Sequence, residues 1–186
     1  MDERVNERPN LYLVGVRLNA TRPGPELYTL LLLHEGSIPG DDRPLTRDGA
    51  ILWFSKPELA ARALLLGDEP FREAQPFLDE VAIVYDIAHA ISLIAHADQD
   101  DGAVIVNCLN ILLDAVSATG FPLLSAHRTV LSALADHTTF SKEIGEFLND
   151  PSHDRAAVLD AITWAVGAIT SNSEMLSFDE EASGFS

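Results

Sequence analysis

The sequence predicts an α+β fold: a small antiparallel β-sheet of about three strands with one helix, followed by an acidic all-α bundle of about five helices. Three observations predict it. Short apolar runs separated by Pro-Gly pairs fill the stretch up to Phe54. From Phe77 onward, apolar residues recur at helical spacing and leave only narrow polar stripes. The formal charge of −17 is also uneven: residues 1–75 carry nine Lys/Arg against twelve Asp/Glu, and residues 76–186 three against seventeen. The expected organisation is a sheet-plus-helix module over 1–67, a connector over 68–76, a helical bundle over 77–171, and a fraying acidic tail over 172–186.

Leu11–Leu18 reads as a strand rich in Val, Leu and Tyr, with Arg17 as a polar member. Pro23-Gly24 suits the centre of a type II turn, because proline fixes φ and glycine accepts positive φ. Leu27–His34 is the second strand, expected antiparallel to the first. A loop containing Pro39-Gly40 closes at Asp48-Gly49, and Ile51–Phe54 is the third strand. The change of period at Ser55 reads as a capping box: Ser55 as N-cap, Pro57 in the first turn and Glu58 at N3. The helix that follows stops at Gly67.

Phe77–Ala97 reads as a single helix of about six turns. Ala103–Ala118 follows, with Asn107, Asn110, Asp114 and Ser117 as its polar stripe. Leu123–Asp136 and the short Phe140–Asn149 come next. Asp150-Pro151 reads as the start of the last helix, Ala156–Ser171, with Asp160, Thr163, Gly167 and Thr170 as its stripe. Helices with stripes this narrow must bury most of their surface. Either they sit centrally in the bundle or they meet a second copy, so a homodimer through the helices is expected.

Candidate chemistry is sparse. Asp86, His89 and His96 share one face at i, i+3 and i+10 and form the only metal alternative, but no Glu-x-x-His pair accompanies them as a bundle-core carboxylate site requires. The dipeptide His153-Asp154 is similar to the paired ligand of HD-domain phosphohydrolases, whose further histidine and distant aspartate are not matched; here it falls at a helix start. His34-Glu35 is not followed by a histidine at position 38, which is Ile38. Cys108 and His127 could pair across two helices, although Cys108 is flanked by Val106 and Leu109 and reads as a core thiol. No catalytic residue, metal or cofactor is therefore assigned.

The acidity disfavours nucleic acid and anionic membrane surfaces and is compatible with a basic protein partner, or with solubility alone. The charged start and the absence of a long apolar run give neither a signal peptide nor a spanning helix, so a cytoplasmic protein is expected. One cysteine excludes an internal disulfide. The function expected is a non-catalytic interaction or regulatory protein acting through its acidic helical half. The alternative is a small-molecule or metal-dependent enzyme with a site between bundle helices.

Overall fold

Leu11, Leu13, Leu30, Leu32, Leu52 and Phe54 bury one face of a β-sheet, while Val14, Val16, Leu31, Ile51 and Trp53 bury the other. Successive residues of a strand point to opposite faces, so runs such as LYTLLLL reflect a sheet covered on both sides. In the computed structural model, which describes residues 9–33, 42–96, 102–140, 143–150 and 152–176, the cover on the two sides differs.

The centre of the sheet is β1 (Asn10–Arg17) antiparallel to β2 (Leu27–Leu33), with Val14 opposite Thr29. Two short strands follow, β3 (Arg43–Pro44) beside β2 and β4 (Thr46–Arg47), which forms a hairpin with β5 (Ala50–Phe54). Asp48 and Gly49 both have positive φ there, as a two-residue type I′ turn requires. A 3₁₀ turn (Pro57–Leu59), α1 (Ala60–Leu66) and α2 (Glu69–Arg72) then cover the first face through Leu59, Ala60, Ala63 and Phe71.

The other face takes five helices: α3 (Ile87–His96), α4 (Gly102–Ala118), α5 (Ser125–Phe140), α6 (Ile144–Asn149) and α7 (Arg155–Ser171). The central helix α4 packs against α3, α5 and α7 and meets the sheet at β3 and at β7 (Ile83–Asp86). Strand β7 and the shorter β6 (Gln75–Phe77) run parallel to β1 along its outer side. After α7 the chain returns as β8 (Ser173–Leu176), parallel to β5, with Ile51 opposite Ser173.

This corrects the expected architecture. Among the described residues the sheet has eight strands of mixed direction, not about three antiparallel ones, and seven α-helices accompany it. The expected helix over 77–97 begins with Phe77 at the end of β6 and contains β7 before α3 starts at Ile87. Val81, Ile83, Val84 and Tyr85 are β-branched or aromatic, and pairing with β1 wins over a helical period that short apolar runs cannot establish. Residues 173–176 of the expected tail are a strand. Much of the apolar surface of the helices, from which a homodimer was expected, is buried within the chain, in helix–helix contacts and against the sheet, while Ile91, Phe140 and, between α4 and α5, Phe121 and Leu124 stay exposed.

Local expectations also shift. No side chain caps the turn after Ser55; its N-cap is Lys56, in extended conformation. Asp150 holds a turn by accepting from the backbone and hydroxyl of Ser152 at 2.8 and 2.6 Å, which lowers its pKa, and Asp154 caps α7 by accepting from Ala156 N at 2.9 Å. Gly24 does not have positive φ, so Pro23-Gly24 does not make the type II turn. Side chains shape that loop instead: Glu26 accepts from the backbone N–H of Leu18 and Asn19, and Arg17 donates to the Ala20 carbonyl. Gly15 lies under Pro25, where a Cβ would come within 2.6 Å of the proline ring. Positions 34–41, 97–101, 141–142, 151 and 177–186, with His34-Glu35, Pro39-Gly40 and Pro151 among them, lie outside the described residues.

Candidate functional site

At one end of the sheet, between its helix-covered face and α3, α4 and α7, lies a cleft of about 280 Å³. The placement follows from topology. Val16 at the end of β1, Leu27 at the start of β2, Trp53 near the end of β5 and Met175 on β8 give the sheet side; Ile111 on α4 and Ile169 on α7 face them. Leu18 and Met175 are each about half exposed, at 49% and 50%, and leave the cleft open to solvent.

The polar groups in its walls are already engaged. The indole Nε1 of Trp53 donates to Ser173 Oγ at 2.9 Å, and that hydroxyl donates to the Ile169 carbonyl at 2.6 Å. Thr170 Oγ1 donates to the Val166 carbonyl at 2.8 Å, and Glu174 accepts from Arg47 at 2.5 Å. What remains facing the space is hydrocarbon and ring surface. Its volume is nearly twice the ~150 Å³ of an apolar cavity that holds one benzene, so two aromatic-sized groups fit. Burying each large apolar side chain there is worth about 1.5–3 kcal/mol.

The residues singled out from sequence lie elsewhere. Asp86 forms an ion pair with Arg17 at 2.7 Å, and its other oxygen accepts from the His89 backbone at 2.9 Å, capping α3. His96 turns its Nδ1 to the Ser92 carbonyl of its own helix at 2.8 Å. Among the described residues no group of three His, Cys, Asp or Glu side chains is placed to hold a metal. His153 stacks on Phe147 with ring centroids 3.8 Å apart, rather than facing solvent, while Asp154 is occupied as a cap. Asp160 meets His127 instead, at 3.1 Å, with the imidazole tilted against Trp164. Cys108 sits in the core, where burial and then the nearby Asp86 charge push its pKa up to about 12. A thiol so held is a poor nucleophile.

Buried titratable groups also meet between α4 and the sheet. Asp114 is only 7% exposed, and burial, reinforced by the Asp42 charge, pushes its carboxyl up to about 7. Tyr85 beside them is raised above its ordinary value by burial and by the same two carboxylates.

Sequence reasoning left Ser173–Leu176 in the tail, so the cleft was missed. Its walls come from residues 16 to 175, and no local pattern brings those together. None of the helices in the described residues is long and apolar enough to cross a membrane.

The sequence matches no protein-family model and no characterised protein. Among solved structures it is similar to one described as the crystal structure of SatS C-terminal domain in complex with bromine, with a TM-score of 0.58 and 17% identity over 90% of this chain and 94% of that one. At that identity the likeness shows a shared fold.

Proposed function

We propose that this protein is a non-catalytic binding module whose cleft receives apolar side chains of a protein partner. The supporting observation is the chemistry of the cleft wall. Trp53, Ser173 and Thr170 spend their polar atoms on the fold and Glu174 is held by Arg47, leaving a wall of mostly apolar surface without a cluster of groups for acid–base or nucleophilic work. A metal-dependent or small-molecule enzyme would draw support from converging His, Asp and Glu side chains. The His127–Asp160 pair at the α5–α7 contact is two groups without a third among the described residues.

The acidic half enters this reading as a surround that favours basic partners and repels nucleic acid, and the location expected for such a module is cytoplasmic. A homodimer through the helices is not part of it, because much of their apolar surface is buried within the chain.

Titration with a neutral solvatochromic dye tests the proposal. The wild-type protein should bind one or two equivalents and quench Trp53, and Ala115→Phe, which projects a ring into the cleft, should weaken binding at least tenfold. Equal binding by the filled variant, or none by the wild type, overturns it.

A further inference from the structure

Strand β8 forms a wall of the cleft, and its pairing leaves half of its backbone groups directed away from the sheet. Ile51 N–H donates to the Asn172 carbonyl and Ile51 lies opposite Ser173. In a parallel ladder this register bonds β5 to residues 172, 174 and 176. The N–H and C=O of Ser173 and Met175 therefore face the other way. Among the described residues β8 pairs with β5 alone, so this edge carries no strand. An open edge is a template for another strand, and the half-exposed Met175 side chain on this strand lines the cleft.

We propose that the free edge of β8 accepts an extended segment of a partner protein as a ninth strand, seating an apolar side chain of that segment in the cleft. This rests on the binding role proposed above and adds to it the conformation and charge of the ligand. Alternate residues of an added strand point to the same face as Trp53 and Met175, so backbone bonds supply register and the cleft selects a large apolar side chain. Charge selects the rest. Residues 76–186 carry three Lys/Arg against seventeen Asp/Glu. Lysine or arginine flanking the apolar residue complements them.

A second copy of this chain fits the edge less well. Antiparallel pairing of two β8 strands through Ser173 and Met175 centres the two-fold axis on Glu174 and sets it against its own equivalent, and like charges directly opposite destabilise a pair. It also brings together two chains of −17 each.

The test uses a capped heptapeptide of alternating Val, Thr and Phe with a lysine at each end, and the same peptide N-methylated at alternate residues so that it cannot donate to β8. Wild-type protein should bind the plain peptide at least tenfold more tightly than the methylated one. Met175→Pro should bind it at least tenfold more weakly than Met175→Ala, because both lose the thioether but only proline removes the outward N–H. Proline is tolerated on an edge whose N–H is unpaired, and circular dichroism checks that each variant is folded. Equal affinity for the two peptides, or dye binding without peptide binding, overturns strand addition while the cleft reading stands; failure of the dye as well overturns both. A dimer in sedimentation that Met175→Pro dissociates also overturns the proposal, because the edge then belongs to a second copy.

Discussion

The Trp53 indole donates to the Ser173 hydroxyl at 2.9 Å across a sequence separation of 120 residues, fastening β8, after the last helix, to β5 in the first half of the chain. The same bond fixes the indole in the cleft wall. Trp53→Phe should lower stability by about 0.5–1.5 kcal/mol, the usual net worth of one hydrogen bond. Native-state hydrogen exchange is the check: residues 172–176 should lose protection before any other strand. Uniform loss over the whole sheet would contradict the local role of the bond.

Asp114 should make stability pH-dependent in a definite direction. Its folded pKa, about 7, lies above the ordinary 3.8. Above pH 7 the carboxylate is ionised whether the chain is folded or not, and the cost of burying it is fully present. Between those values the folded chain keeps the proton and the cost diminishes as pH falls. Asp114→Asn should therefore stabilise the protein by up to about 4 kcal/mol at pH 8 and by well under about 1 kcal/mol at pH 4. Urea denaturation at the two pH values reads the difference, and a gain independent of pH would show that ionisation is not its cause.

Two helix starts should respond oppositely to what the sequence suggests. Ser55→Ala removes a side chain that caps nothing and should change stability by less than about 0.5 kcal/mol. Asp154→Ala removes the bond to Ala156 N and should cost about 0.5–2 kcal/mol. Thermal melts of both variants decide the matter.

Gly15→Ala should be among the costlier single-methyl additions. The new Cβ would meet Pro25 at 2.6 and 2.9 Å, and a proline ring cannot rotate away as a flexible side chain can. A loss of about 1–3 kcal/mol is expected, as for overpacked interiors. Pairing the change with Pro25→Ala should recover much of it.

The helices α4 to α7 and the strands β1, β2 and β5 were legible because each is a periodic run long enough to declare itself. Leu27–Leu33 was seen as a strand, yet its unbroken leucines, which alternate between two buried faces, were not taken as the sign of a sheet covered twice. Gln75–Phe77 and Ile83–Asp86 were absorbed into a helix because three- and four-residue runs fit either period, and only their partner β1 decides between them. Asp114 was read as one member of a polar stripe with Asn107, Asn110 and Ser117; those three are exposed, while Asp114 is turned under the sheet. The cleft depends on all of these placements at once, which is why it was not foreseen.

The parallel β5–β8 pairing has a kinetic side. Joining β1 to β2 closes a loop of a few residues, whereas bringing Ser173 to Trp53 closes one of 120, at about 2 kcal/mol more chain entropy. Contacts of such long range form late and slowly. During synthesis the first seven strands and most of the helices can therefore assemble while the last wall of the cleft is still missing. On the binding role proposed above, competence to hold a ligand arises only in the closing step of folding, and a destabilised β8 should abolish binding in a population that otherwise passes for native.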